Sequence, residues 1–88
     1  MKWMEANEQE FQGMKVKPSN YLIERIAENQ YFIHREITEQ EREAFREEKL
    51  FPYKGKWYLP LVSCPSEEQA VTTVHSYWQG IKELNSII

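Results

Sequence analysis

Apolar and polar positions separate most clearly near the end of the chain. Ala70, Val71, Val74, Tyr77, Trp78, Ile81, Leu84 and Ile88 recur at three- and four-residue steps and fall on one arc of about 140° in helical projection, while Thr72, Ser76, Gln79, Glu83 and Ser86 take the other side. The start of this helix is marked by Cys64-Pro65-Ser66-Glu67-Glu68-Gln69, in which a proline stop precedes a Ser66 N-cap. Gln69 stands at the capping-box position, and two acids in the first turn complement the helix dipole. The pattern predicts a helix from Glu67 to Asn85 that serves as the main packing partner of a small sheet.

The sheet is expected from a second stretch, Leu50 to Leu61, where aromatic and proline side chains flank a Lys54-Gly55 turn. Two hairpin registers are open. A two-residue loop pairs Tyr53 with Lys56 and places Phe51, Tyr53, Lys56, Tyr58 and Pro60 on one face. A three-residue loop with Gly55 at a bulge pairs Pro52 with Lys56 and moves Phe51 to the Trp57 face; it is preferred because lysine is disfavoured at positive φ. In either register Trp57, Leu59 and Leu61 are expected to face the core, and Lys56, Tyr58 and Pro60 to face outward. Pro52 and Pro60 lack an amide donor and suggest an edge position.

Upstream, Leu22, Ile23, Ile26 and Ala27 fall at helical spacing, so Tyr21 to Asn29 reads as a short amphipathic helix capped by Ser19 or Asn20. Tyr31 to Ile37 alternates like a strand with one buried face. Thr38-Glu39-Gln40-Glu41 is a capping box opening a helix over Glu39 to Lys49, in which only Ala44 and Phe45 are apolar. That helix is expected to be charged and largely exposed. Gln12 to Pro18, with Gly13 and Pro18, reads as a linker. The fold class is therefore α+β, with residues 1–18 as an acidic N-terminal arm and linker and residues 19–88 as a single domain.

Composition narrows the function classes. The 88 residues are 41% hydrophobic, 28% charged and 14% aromatic, which fits a small globular domain. A net charge of -3 gives no long-range attraction to nucleic acid or anionic lipid. One cysteine, Cys64, allows no internal disulfide, and neither a membrane span nor the apolar core of a signal peptide is visible, so a cytoplasmic location is expected.

Candidate chemistry is sparse. Cys64 and His75 lack a third orienting residue, and Cys64, His34 and His75 show no short metal-ligand spacing, so no catalytic residue, metal or cofactor is expected. The glutamates of the exposed helix lack the burial that would tune them for acid or base work. The outward hairpin face, with Tyr53, Lys54, Lys56 and Tyr58, is more aromatic than a solvated face requires and resembles a protein-interface core. From Thr38 to Pro60 the helix and its Lys-Gly-Lys hairpin tip also resemble the helix and wing of small winged DNA-binding domains such as excisionases. That resemblance implies a nucleic-acid surface of Arg42, Arg46, Lys49, Lys54 and Lys56. An aromatic pocket between Trp57, Trp78 and His75 would instead imply a small-molecule binder. The expectation taken forward is a small non-enzymatic binding protein, a regulator or inhibitor whose partner is another protein, with homodimerisation as a further expectation.

Overall fold

In the computed structural model, which describes residues 1–88, the run Tyr21-Leu22-Ile23 decides the architecture, because all three side chains are buried. Residues 21–27 form a strand, β2 (Tyr21–Ala27), and not the amphipathic helix expected there. Successive side chains of a strand point to opposite faces, so three consecutive buried residues require cover on both sides of the sheet. Of the four residues at helical spacing, Leu22 and Ile23 are buried on opposite faces of the strand, whereas Ile26 and Ala27 are exposed near its end.

Five strands make one antiparallel sheet. They are β1 (Lys2–Met4), β2, β3 (Gln30–Glu36), β4 (Phe51–Tyr53) and β5 (Lys56–Cys64), in the order β1-β2-β3-β5-β4. A two-residue Glu28-Asn29 turn joins β2 to β3, and β3 then pairs with β5. The first cover is α2 (Glu67–Ile87), capped by the Ser66 hydroxyl accepting from the Gln69 amide as the sequence predicts. Ala70 and Val74 of this helix pack on Met4, Tyr21, Ile23 and Ile33, with Tyr31, Cys64, Val71, Tyr77 and Trp78 at the margin. The Trp78 indole donates to the Ser19 carbonyl at 2.8 Å, fixing the helix against the entry to β2.

The second cover is the sheet itself. The strand order sets β1 and β5 three spacings apart, roughly 14 Å on a flat sheet. Yet the rings of Trp3 on β1 and Tyr58 on β5 meet edge to face at 6.1 Å between centroids. The sheet is curled, and its concave face closes over Leu22 and Tyr58. The chain is thus α+β, with α2 on the convex face and an aromatic layer within the concave one.

The first 18 residues contribute to the same body. Beyond β1, Phe11 is buried in a 3-10 turn over Glu8–Phe11. The side-chain amide of Asn85 on α2 holds the Val16 backbone by two hydrogen bonds of 2.9 Å, its Oδ1 accepting from the Val16 amide and its Nδ2 donating to the Val16 carbonyl, and Lys82 pairs with Glu10 at 2.9 Å. The Thr38 capping box is formed as expected, with both its hydrogen bonds at 3.1 Å, but the helix it opens, α1 (Glu39–Arg42), lasts one turn instead of reaching Lys49. So short a helix depends on packing for stability, and Ala44 and Phe45 supply too little apolar surface to extend it.

Candidate functional site

The hairpin turns through two residues. Lys54 (φ 48°) and Gly55 (φ 78°) both lie in the left-handed region, and Tyr53 pairs with Lys56, Pro52 with Trp57 and Phe51 with Tyr58. The preferred three-residue register is therefore replaced by the other one: the right-handed twist of paired strands favours a turn with two positive φ angles, and this outweighs the cost at Lys54. Phe51, Tyr53, Lys56 and Tyr58 consequently share a face, and the curl makes it the concave one.

Tyr58 is the largest correction. Expected outward, it is only 2% exposed, while Leu61, expected in the core, is 42% exposed. Trp57 and Leu59 are half-buried and lie outside the α2 core. Lys56 and Pro60 are exposed as expected, but Tyr58 is buried because the sheet closes on the more aromatic of its two alternating faces, which the sequence pattern does not show. The ladder explains Leu61. His34 pairs with Pro60 and Ile33 with Val62, so Leu61 is the extra residue of a bulge. Pro60 has no amide for a regular ladder, which is why an interior strand tolerates it there.

Along the concave face six rings follow one another: Phe32, His34, Phe51, Tyr53, Tyr58 and Trp3. Their successive centroid distances are 5.8, 4.7, 6.2, 6.5 and 6.1 Å. His34, 4% exposed, stacks on Phe51, and its Nε2 lies 3.0 Å from Glu24 Oε1. At the other end the array opens into a cleft of about 380 Å³ lined by Met1, Trp3, Leu22, Tyr53, Lys54, Lys56 and Tyr58. All four hairpin residues singled out from the sequence line this one cleft. Trp3, Leu22 and Met1 were missed, since nothing local in the sequence shows that β1 folds over the hairpin.

The electrostatics of the cleft follow from its burial. Desolvation, reinforced by Glu36 and Tyr53, pushes the Tyr58 phenol up to about 12, so at neutral pH it is protonated and its ring behaves as an apolar wall. Lys54 Nζ stands 5.4 Å from the Tyr53 ring centroid, and Lys56 Nζ stands 5.2 Å from that of Trp3 while pairing with Glu36 at 2.9 Å.

The cationic set implied by the winged-domain resemblance is differently placed. Arg42 lies over Trp57, 4.2 Å from the ring centroid, and is ion-paired with Glu47; Arg46 stands 4.0 Å from Glu48, and Lys56 is held by Glu36. The one-turn α1 provides no long helix beside the hairpin. The three residues of the aromatic-pocket reading also have other partners: Trp57 takes Arg42, Trp78 binds Ser19, and His75 meets Trp78 edge-on at 5.3 Å. Cys64 Sγ is 4.0 Å from Thr73 Oγ1. No group of three or more His, Cys, Asp or Glu side chains is arranged to hold a metal ion, and no helix is long and apolar enough to cross a membrane. Comparison with protein-family models, with curated proteins and with solved structures finds no match to this chain.

Proposed function

We propose that the protein is a small non-enzymatic binding module of the cytoplasm, a regulator or inhibitor that acts by docking another protein in the cleft between β1 and the β4–β5 hairpin. The observation that supports this reading is the convergence of Tyr53, Lys54, Lys56 and Tyr58 with Trp3 around one cleft of about 380 Å³. Tyrosine and tryptophan walls around a partly desolvated hollow are the composition found where a few anchor residues carry most of the energy of an interface. Trp3 keeps 38% of its surface exposed, an apolar area that the fold leaves uncovered beside a rim of lysines.

The test is affinity capture from native lysate with the intact chain and with a Tyr53→Ser, Lys54→Asn double variant. Neither position is fully buried, so the variant is expected to fold. Loss of a captured protein by the variant, with thermal melting within a few degrees of the parent, supports the cleft as the docking surface. Equal capture by both proteins refutes it.

A further inference from the structure

The chemistry of the cleft also selects its occupant, an inference that rests on the docking role proposed above. A cationic guest would need an open aromatic face, and the faces of Tyr53 and Trp3 are already attended by the ammonium groups of Lys54 and Lys56, at 5.4 and 5.2 Å. A second cation there would meet two like charges. None of the seven lining residues is acidic. Two carboxylates stand behind the lining: Glu36, 2.9 Å from Lys56, and Glu5, which accepts from the Trp3 indole at 3.3 Å. They leave Lys54 as the exposed cation of the rim that is in none of the chain's ion pairs.

A nucleic-acid strand carries a repeating phosphate charge and needs several cations along its path, whereas the side chains of this cleft offer one ammonium outside any ion pair, that of Lys54. A single carboxylate in contact with Lys54 needs no more than that. At physiological salt the screening length is about 8 Å, so such a carboxylate responds mainly to Lys54 and little to the net charge of the whole chain. The remaining walls, Met1, Trp3, Leu22 and the protonated ring of Tyr58, suit an apolar side chain.

We infer that the occupant is a short acidic segment of a partner protein, which inserts one aromatic or branched apolar side chain against Trp3, Tyr53 and Tyr58 and sets a neighbouring carboxylate on Lys54.

The test uses three pools of nine-residue peptides with a central Phe, Tyr, Leu or Ile, flanked by Asp and Glu, by Ser and Asn, or by Lys and Arg. An oligothymidylate serves as a fourth probe. Each is titrated into the isotope-labelled full chain, and the Trp3 indole and the amides of Tyr53 to Tyr58 are followed by NMR. The acidic pool is expected to shift these signals at least about tenfold more tightly than the neutral pool, with weakening of about tenfold in Lys54→Glu. Because glutamate at positive φ can disturb the turn, Lys54→Asn is run beside it; asparagine accepts that conformation, so the same loss there is due to charge. Equal binding by the neutral pool, or preference for the basic pool, at these same signals overturns the acidic occupant and leaves the docking reading standing. Shifts from the oligothymidylate alone, or no shift at the cleft from any probe, overturn both.

Discussion

Replacing Tyr58 by alanine tests the closure of the sheet. The ring is 2% exposed, pairs across strands with Phe51 and Glu36, and contacts both Trp3 and Tyr53. Deleting a buried ring of this size costs about 3 to 5 kcal/mol through lost burial and the cavity left behind. A domain of this length has a total stability of roughly 4 to 13 kcal/mol, so the loss is a large share of it. Urea unfolding followed by tryptophan fluorescence reads the change, and melting should fall by roughly 12 to 40 °C. Tyr58→Phe keeps the ring and should stay within about 1 kcal/mol of the parent. A Tyr58→Ala loss below about 1 kcal/mol would mean that Trp3 does not close over the hairpin, and the cleft would lose one wall.

Other consequences follow from single contacts. The Tyr58 phenol ionises near 12 in the fold against about 10 when unfolded, so its contribution to stability is intact below pH 10 and declines as pH rises toward 12. Urea titrations between pH 9 and 12 should show this decline, and Tyr58→Phe should make it shallower. Hydrogen bonds from the Arg35 guanidinium hold the Glu41 carboxyl below its ordinary value, so the stability it adds is present at neutral pH and lost on acidification. Glu41→Gln should flatten the acid limb of a pH–stability curve. Lys54→Asn relieves a positive φ and should raise stability by about 0.5 to 1 kcal/mol in the same urea assay. Asn85→Ala removes both hydrogen bonds to Val16, and native-state hydrogen exchange should report faster exchange of the Val16 amide with the β2 and β3 amides unchanged.

The parts of the fold legible in the sequence are those set by local chemistry. The Ser66 and Thr38 caps, the extent of α2, the Tyr31 strand and the position of the hairpin turn depend on residues within a few positions of one another. Features decided by a distant partner left no such local signal. Leu22 is buried because the sheet curls, and that curl depends on Trp3 meeting Tyr58 across 55 residues of sequence, so the Tyr21-Leu22-Ile23 run was open to a helical reading. A continuous apolar run rich in aromatic and β-branched residues was the available signal for a strand covered on both faces. The site was half legible. The hairpin residues Tyr53, Lys54, Lys56 and Tyr58 stood out by composition, but Tyr58, expected outward, is buried, and the opposite wall was unseen.

The cleft as a docking surface is tested most directly by crosslinking. A photoreactive benzoylphenylalanine in place of Tyr53 puts the reactive group at the cleft, and the same substitution at Gln79, exposed on α2, serves as control. Irradiation in native lysate should give one discrete adduct at position 53, suppressed by excess unmodified protein and absent at position 79. Adducts of equal yield at both positions, or an adduct at 53 that the unmodified protein does not suppress, would contradict the account.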